Sequence, residues 1–230
     1  MKDNKLVIDI ADLYSAPILN NSINLPKLTK DSLKIDIKNK SILNVIELIP
    51  NKLESNHLKI NIEDLNLKDE FTSCTTKDNL LKITVIERHK NTGNLGLGIL
   101  KGLDLKSGAI ATTIAHDSHN MIICGTNDAD MIYAAEELKR INGGIIVVKD
   151  GKTLASVSLE IGGIITSRAC EEVISDLTKL HDAVKILAPT ITFNPFLTLS
   201  FLSLPVIPEI KITDKGLFDV RSFNFIPVAE

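Results

Sequence analysis

The sequence is poor in aromatic residues and cysteine, and it contains no tryptophan. Because only 4% of its 230 residues are aromatic, its core has to be mostly aliphatic. Its three cysteines, Cys74, Cys124 and Cys170, are widely spaced and form no C-x-x-C motif. This pattern argues against a disulfide framework and against a structural zinc site, and it favours a reducing, cytoplasmic location.

The sequence also has no excess of positive charge and no long apolar run without a proline. The formal net charge is -3 and the pI is about 6.0, so the attraction to phosphate on which nucleic-acid binding depends is missing. The longest apolar region, residues 191–210, contains Pro195, Pro205 and Pro208, which would break a membrane helix. We predict buried strands and turns there, no membrane span, no nucleic-acid partner, and no signal peptide at the charged residues 1–5.

Local patterns predict an α+β fold in two parts. The first part, residues 1–78, has β-branched runs typical of a small sheet, at residues 6–10, 33–37, 45–49 and 58–62. The second part, residues 79–230, begins with alternating apolar and polar residues at 81–86, which predict a strand with one face in water. The glycines at residues 93–98 do not follow the order of a phosphate-binding loop, and we predict a mobile turn.

Two main helices and a hairpin are predicted in the second part. The first helix is capped at residues 126–128 and stopped by a glycine pair at 143–144, and the second spans residues 167–189 from a serine cap to a proline. Between them, an Asp-Gly pair at residues 150–151 fits the turn of a β-hairpin. We therefore expect a mixed or antiparallel sheet covered by two main helices, without a (β/α)8 barrel.

The densest polar motif lies between two predicted strands, at residues 116–120. His116, Asp117 and His119 place two imidazoles and a carboxylate close together, and such groups bind zinc, manganese or iron. Histidine also transfers protons near neutral pH, and a neighbouring aspartate can fix its tautomer. The alternative is a turn formed by Asp117 and Ser118, with the histidines capping strand ends. Metal binding, acid–base catalysis and substrate contact therefore stay open.

A second polar segment follows the predicted strand at residues 81–86. It consists of Glu87, Arg88 and His89, and the ends of strands are where binding sites collect. A solvated cluster of charges is the alternative explanation. By contrast, His57 and His181 stand alone in the sequence, and we expect them to be structural.

Several blocks of the sequence resemble the C-terminal portion of bacterial adenine deaminases. The most specific are residues 108–111, followed by the polar motif at 116–120 and by residues 125–128. Four further blocks agree in order and spacing: residues 87–89 before 92–94, 143–144 before 147–151, 195–202 before 204–208, and 213–214 before 217–220. The resemblance runs from about residue 30 to about residue 220 and is weaker before residue 80.

The resemblance implies an enzyme of the amidohydrolase superfamily that hydrolyses adenine to hypoxanthine and ammonia in purine salvage. In that family a pair of manganese or iron ions lies in a (β/α)8 barrel that precedes this region. The H-x-H pair of such a barrel is absent here, and 230 residues are too few to form a barrel as well as these segments. The chain is therefore expected to bind no metal alone, to be inactive alone, and to have a metal-bearing barrel, adenine and further copies of itself as partners.

On this hypothesis, the two polar segments lie at the mouth of the barrel. The catalytic candidates are His116, Asp117 and His119, and the substrate-binding or supporting candidates are Ser118, Asn120, Glu87, Arg88 and His89. His116 and His119 are also the candidates for metal contact. The rival hypothesis is a non-catalytic assembly or ligand-binding module derived from the same family.

Overall fold

A computed structural model of the chain describes residues 22–73 and 79–230 and has an α+β fold. Eight strands form one mixed sheet, and three more form a second, smaller sheet. The strands of the large sheet are β1 (Ile42–Leu48), β2 (Ser55–Asn61), β3 (Leu80–Ile86), β4 (Leu95–Lys101), β5 (Ala109–Thr112), β6 (Met121–Gly125), β7 (Gly144–Lys149) and β8 (Lys152–Ser158). Those of the small sheet are β9 (Ile210–Thr213), β10 (Gly216–Asp219) and β11 (Asn224–Ile226). The described strands close into no barrel.

The large sheet has the strand order β2-β1-β4-β3-β6-β5-β7-β8 and is antiparallel except between β1 and β4. The α-helices are α1 (Asp128–Arg140), α2 (Cys170–Leu187) and α3 (Pro195–Leu202), and short 3-10 helices span Asp31–Leu33 and Ile62–Leu65. Helix α1 packs through residues such as Met131 on one face of the sheet. Helices α2 and α3 and the small sheet cover the other face, through residues such as Leu180, Leu199 and Ile212. The aliphatic core is thus divided between the two faces of one sheet.

Helix α1 and the β7–β8 hairpin confirm the predictions made for them. The side chain of Asn127 caps α1 by accepting a hydrogen bond of 2.8 Å from the N–H of Asp130, and Gly143 follows the helix with a positive φ. Asp150 and Gly151, between β7 and β8, also have positive φ, as this type of hairpin turn requires. Both elements were predictable because their signals are local.

Strands β1 and β2, which precede residue 78, belong to the large sheet. They form a hairpin at its edge, and β1 joins the rest through parallel pairing of Ile46 with Leu100. The predicted strand at residues 33–37 is wrong: this run holds the end of a 3-10 helix and a single bridge between Asp36 and Glu70. The strand predicted at residues 6–10 lies outside the described residues, and the division of the chain at residue 78 stays a prediction.

Strand β3 is buried on both faces, so the prediction of one wet face is wrong. Lys82 and Thr84, its two polar residues, are 2% and 0% exposed. Lys82 Nζ lies 2.7 Å from Asp128 Oδ1, and the Thr84 hydroxyl donates to Gly96 O at 2.9 Å. Each buried polar side chain therefore has a partner that offsets its loss of water.

The glycine-rich segment at residues 93–98, predicted as a mobile turn, leads into strand β4 and supplies its first residues. Gly96 is required there because the β9–β10 hairpin passes directly over it. A Cβ atom at this position would lie 1.9 Å from Thr213 O. The glycine thus allows two distant parts of the chain to touch, and it does not form a turn.

Residues 191–210, predicted as strands and turns, contain helix α3. Asn194 Oδ1 caps this helix by accepting hydrogen bonds from the N–H groups of Phe196 and Leu197. Pro195 occupies the first turn, where a missing N–H breaks no helical hydrogen bond. The proline that argued against a helix in fact marks its start.

Helix α2 begins later than predicted. Ser167, expected to be its cap, instead donates from its N–H and hydroxyl to Glu160 Oε1, and the helix starts at Cys170. It ends at Leu187, just before Pro189, as expected. Among the described helices, none has the length and apolar character needed to cross a membrane.

Candidate functional site

The two polar segments singled out in the sequence meet at one end of the large sheet. Strands β3 and β6 are neighbours, and Ile86 at the end of β3 pairs with Met121 at the start of β6. The segment that follows β3 therefore leaves the sheet beside the segment that leads into β6. We refer to the first as the Arg88 turn (Glu87, Arg88 and His89) and to the second as the histidine loop (His116, Asp117, Ser118, His119 and Asn120).

The carboxylate of Glu87 is bonded within its own turn. It accepts hydrogen bonds from the N–H groups of His89 (2.5 Å), Lys90 (2.8 Å) and Thr92 (2.9 Å), and from the Thr92 hydroxyl (3.0 Å). Burial acts to raise the pKa of Glu87, but these hydrogen bonds outweigh it and lower the pKa from 4.5 to about 2. Glu87 is therefore a buried, ionised group that shapes the turn.

Arg88 is the largest fully buried side chain in the described part of the protein, with 0% exposure. Its guanidinium donates to the carbonyl oxygens of four separate segments, at Ser22 (2.9 Å), Thr113 (3.4 Å), His119 (2.5 Å) and Gly162 (3.0 Å). Burial lowers the pKa of Arg88 to about 10, and the charge of Glu87 opposes the shift. The solvated charge cluster considered above is thus wrong for Glu87 and Arg88, although His89 is exposed.

The turn at residues 161–165 is fastened to the same place. Gly163 has a φ of +73°, and a Cβ atom there would lie 2.8 Å from Arg88 Nη1, so a side chain would displace the guanidinium. The carbonyl oxygen of Gly163 also accepts a hydrogen bond of 2.6 Å from the Thr113 hydroxyl. Arg88 and Thr113 together fix this turn relative to the end of β5.

The first histidine of the histidine loop rests on helix α3. The N–H of His116 donates to Ser200 O at 2.9 Å, and the His116 ring lies against Phe201 with 4.6 Å between ring centroids. The next two residues, Asp117 and Ser118, are exposed. The loop is therefore anchored at His116 and projects into solvent beyond it.

The second histidine lies over the Arg88 turn. The N–H of His119 donates to Ala115 O at 2.6 Å, which closes the loop, and its own carbonyl is bound by Arg88. His89 Nε2 lies 2.8 Å from Ser118 O, so the exposed histidine of the Arg88 turn touches the loop as well. The rings of His116 and His119 are 5.9 Å apart between centroids. Three imidazoles are thus brought to one end of the sheet.

Two buried atoms of the histidine loop have no hydrogen-bond partner: His119 Nδ1 and Asn120 Oδ1. Asn120 is 4% exposed, so its amide has lost water without a replacement for Oδ1. The pKa of His119 is lowered, first by burial and then by the charges of His116, Arg88 and His89, against the opposing charge of Asp117. His119 is accordingly neutral near pH 7 and retains a nitrogen that can accept a proton.

The histidine loop does not form a metal site by itself. Across residues 22–73 and 79–230, no group of three or more histidine, cysteine, aspartate or glutamate side chains is arranged to hold an ion. His89, His116, Asp117 and His119 lie at the same end of the sheet, but no three of them are arranged as the ligands of a catalytic zinc site are. The residues present therefore do not fit a metal centre of their own.

His57 and Cys124 have structural surroundings, whereas the prediction that His181 is structural stays a prediction. His57 Nε2 lies 2.8 Å from Asn44 Oδ1 within the β1–β2 hairpin. Cys124 is fully buried, and burial raises the pKa of its thiol, which makes it an inert core residue. His181 is exposed on helix α2.

Comparison with known proteins identifies the family of this chain. The family described as "Adenine deaminase C-terminal domain" matches residues 58–224. The chain belongs to the adenine deaminase family. The adenine deaminase of Lysinibacillus sphaericus is 46% identical over 210 residues, which are 91% of this chain and 36% of that protein. The enzyme of Bacillus subtilis is 45% identical over 228 residues, which are 98% of this chain and 39% of that protein.

These relatives are much longer than the match. The adenine deaminase of Geobacillus kaustophilus, 46% identical over 218 residues, is covered over 37% of its length. The chain thus spans less than two fifths of the length of these relatives and corresponds to their C-terminal portion. This confirms the resemblance seen in the sequence.

Sequence patterns did not single out the residues that receive the hydrogen bonds of Arg88. Ser22, Thr113 and Gly162 act through their backbone carbonyls, and a carbonyl has no residue signature. The Gly-Gly pair at residues 162–163 was the one available signal, because paired glycines indicate a close approach of the backbone. The burial of Arg88 depends on long-range packing and had no local signal.

Proposed function

We propose that the chain is the C-terminal part of an adenine deaminase and adds polar side chains to an active-site mouth formed with the preceding portion of the enzyme. The reaction is the hydrolysis of adenine to hypoxanthine and ammonia, a step of purine salvage. The observation that carries the proposal is the histidine loop, where two half-buried imidazoles lie 5.9 Å apart between ring centroids and close in sequence to a buried amide oxygen without a partner. Without the preceding portion, we expect the chain to be inactive.

In this proposal, the Arg88 turn has a supporting role. Arg88 has no exposed surface, and its hydrogen bond to His119 O sets the position of the loop. Glu87 is committed to the N–H groups of its own turn, which leaves its carboxylate unavailable to a substrate. Only His89 is exposed, and it contacts the loop through Ser118 O. The substrate-facing groups are therefore those of the histidine loop, together with His89.

The protons of the reaction suggest a division of roles within the histidine loop. The water oxygen forms a bond to C6 of adenine, the bond between C6 and the amino nitrogen breaks, and a proton has to reach the departing nitrogen. His119, which is neutral near pH 7, is suited to accept and return that proton. Asp117 is exposed between the two histidines and is suited to orient a ring or a polar group of the substrate. Ser118 and Asn120 add a hydroxyl and an amide.

Metal binding is assigned to the preceding portion of the enzyme. The described residues of this chain gather no set of three ligands, which supports placing manganese or iron elsewhere. His116 and His119 therefore act on substrate and protons in this proposal. We also expect a cytoplasmic location and a homo-oligomeric enzyme.

The experiment combines the chain with the N-terminal portion of the Bacillus subtilis adenine deaminase, the part of that relative that this chain does not match. Ammonia release from adenine is measured for the mixture and for each component alone. Replacing both His116 and His119 with alanine should lower kcat/KM by about 100-fold or more, since general acid–base groups contribute about 10²–10⁴. His181→Ala, which changes an exposed histidine on α2, is the matched control. Equal activity of the double variant and the control would rule out the catalytic role.

The second candidate function is a non-catalytic assembly or ligand-binding module. It is favoured by two exposed aromatic side chains, Phe223 in the turn between β10 and β11 (73% exposed) and Phe225 on β11 (52% exposed). On this hypothesis the isolated chain is a stable oligomer, and the mixture with the N-terminal portion releases no ammonia. Sedimentation of the isolated chain and calorimetry with adenine distinguish the two candidates.

A further inference from the structure

Four exposed apolar side chains belong to segments that are connected to the surroundings of the histidine loop, or directly follow such a segment. Ile164 is 36%, Ile165 is 60%, Leu197 is 55% and Val206 is 68% exposed. Aliphatic groups of this size seldom stay in water without a partner when they lie close together. Helix α3 and the turn at residues 161–165 connect these side chains to the histidine loop.

On one side, the contacts run through helix α3. His116 rests on Phe201, and Leu197 precedes Phe201 by four residues, so both side chains lie on the same side of the helix. Val206 follows in the turn after α3, where its N–H donates to Leu204 O at 2.9 Å. Leu197 is thus on the side of α3 that carries Phe201, against which His116 rests.

On the other side, the contacts run through the guanidinium of Arg88. It binds Gly162 O at 3.0 Å and His119 O at 2.5 Å, so the turn at residues 161–165 and the histidine loop share one donor group. Ile164 and Ile165 lie in the exposed part of that turn. The two isoleucines are therefore held in a fixed position relative to the histidines.

We infer that Ile164, Ile165, Leu197 and Val206 form a docking face around the histidine loop, and that its occupant is the N-terminal portion of the deaminase. This inference rests on the proposed function, because it names the surface through which the two portions meet. Apolar groups at this place would exclude water from the polar groups of the histidine loop when a partner binds. Docking there would place the histidines at the boundary between the two portions.

Two observations favour this occupant over a second copy of the chain. The match covers 39% of the Bacillus subtilis relative, so about three fifths of that protein lies outside it and has to be joined to this domain. Ser22, the first described residue, gives its carbonyl oxygen to Arg88, and Asn24 N–H donates to Arg88 O at 2.7 Å. Residues 22–24 therefore lie beside Arg88, which also binds the turn at residues 161–165 and the histidine loop.

The test measures the Kd between this chain and the N-terminal portion of the Bacillus subtilis enzyme by surface plasmon resonance. Replacing Ile165 and Leu197 together with serine should raise Kd by about tenfold or more, because two aliphatic groups no longer leave water on binding. The matched control replaces Ile174 and Ile186 with serine; each is 57% exposed on α2, outside the docking face. The control should change Kd by less than about twofold. Val206→Ser, measured separately, should raise Kd by about threefold.

Several outcomes would overturn the inference. It fails if the wild-type chain does not bind the N-terminal portion, or if the control pair weakens binding as much as the Ile165→Ser and Leu197→Ser pair. It also fails if sedimentation shows that the chain alone dimerises and that the Ile165→Ser and Leu197→Ser pair abolishes the dimer, because the occupant is then a second copy. Circular dichroism melting shows whether each variant is folded.

The same complex separates this inference from the proposed function. The double alanine variant of His116 and His119 should lower kcat/KM of the complex by about 100-fold or more even at concentrations that saturate binding. If the histidine variant loses activity but the docking-face variants bind normally, only the docking face is wrong. If the docking-face variants bind weakly but the histidine variant keeps its activity, only the catalytic role is wrong.

Discussion

The Arg88 turn and the histidine loop lie side by side at one end of the same sheet, yet they differ in how far their buried polar atoms are hydrogen-bonded. In the Arg88 turn, the buried carboxylate of Glu87 accepts hydrogen bonds from three N–H groups and a hydroxyl, and the guanidinium of Arg88 reaches four carbonyls. In the histidine loop, His119 Nδ1 and Asn120 Oδ1 are buried without partners. The buried charged groups of the Arg88 turn therefore have hydrogen-bond partners within the domain, whereas two buried atoms of the histidine loop have none.

This difference fits a supporting role for the Arg88 turn and a substrate-facing role for the histidine loop. A buried polar group without a partner costs free energy, and such groups persist where another role keeps them. Both unpartnered atoms, His119 Nδ1 and Asn120 Oδ1, belong to the histidine loop. The same loop carries the exposed Asp117, and Arg88 holds it in place through His119 O. The hydrogen bonds of the Arg88 turn thus hold the histidine loop in place, while two buried atoms of that loop keep an unused hydrogen-bonding capacity.

The largest effect is expected from Arg88→Met. The substitution removes the donors for the carbonyls of Ser22, Thr113, His119 and Gly162, and each buried group left unpaired costs about 1–3 kcal/mol. Because the four losses do not simply add, we expect the free energy of unfolding to fall by about 4 kcal/mol. Urea unfolding followed by circular dichroism measures it.

The matched control for this prediction is Arg140→Met. Arg140 is exposed at the end of α1 and pairs with Glu137, an ion pair that solvent screens. Its replacement should not change the stability measurably. If the two substitutions have equal effects, Arg88 is not a support and the comparison between the two segments fails.

A smaller loss of stability is expected from Glu87→Gln. The pKa of Glu87 is lowered from 4.5 to about 2, so the ionised carboxylate stabilises the folded state by about 3 kcal/mol at neutral pH. Glutamine keeps one acceptor oxygen but not the charge, and we expect it to lose about 2 kcal/mol of that contribution. The measurement is the free energy of unfolding of both proteins across pH.

The pH dependence of that difference has a definite sign. A carboxyl with a lowered folded-state pKa contributes stability above its unfolded pKa of 4.5 and loses it as the pH falls towards 2. The gap between wild type and Glu87→Gln should therefore be constant above about pH 5 and should close as the pH falls from 4.5 towards 2. A gap that stays constant through this range would mean that the charge of Glu87 is not what stabilises the turn.

The sequence predicted some elements and not others. Elements defined by interactions within a few residues were predicted, and elements that depend on contacts between distant residues were missed. Helix α1 and the β7–β8 hairpin were predictable because Asn127 and the Asp-Gly pair at residues 150–151 act within a few residues. Gly96 was misread as part of a turn because the strand that needs it, β9, lies more than a hundred residues further along the chain. Helix α3 was missed because its residues are apolar all round and show no helical period.

The candidate site divides in the same way. Both polar segments could be found from composition and from their position at strand ends. Their meeting depended on the pairing of β3 with β6, and the burial of Arg88 depended on carbonyl groups of four separate segments. Residue types therefore indicated both polar segments. Only the packing of the folded chain distinguishes the buried, hydrogen-bonded Arg88 turn from the partly exposed histidine loop.

A still smaller effect on stability is expected from Asn120→Leu. Asn120 is 4% exposed and its Oδ1 has no partner, so leucine of similar volume removes no hydrogen bond made by that atom. The free energy of unfolding of the isolated chain should change by less than about 1 kcal/mol. In the complex with the N-terminal portion, the same substitution should lower kcat/KM. A stability loss as large as that of Glu87→Gln would show that the histidine loop is as fully bonded as the Arg88 turn.

The smallest effect is a shift in the titration of His119. Burial lowers the pKa of His119 most, and the charge of His116 lowers it further. Removing that charge with His116→Ala should therefore raise the pKa of His119 towards 6.5, as followed by the NMR signal of its Cε1 proton. Because a lowered histidine pKa makes the folded state less stable as the pH falls below 6.5, the variant should also lose less stability on acidification. The signal of His57, bonded to Asn44 in the β1–β2 hairpin, should be the same in both proteins, and a His119 pKa that stays or falls would show that the two imidazoles do not act as one electrostatic unit.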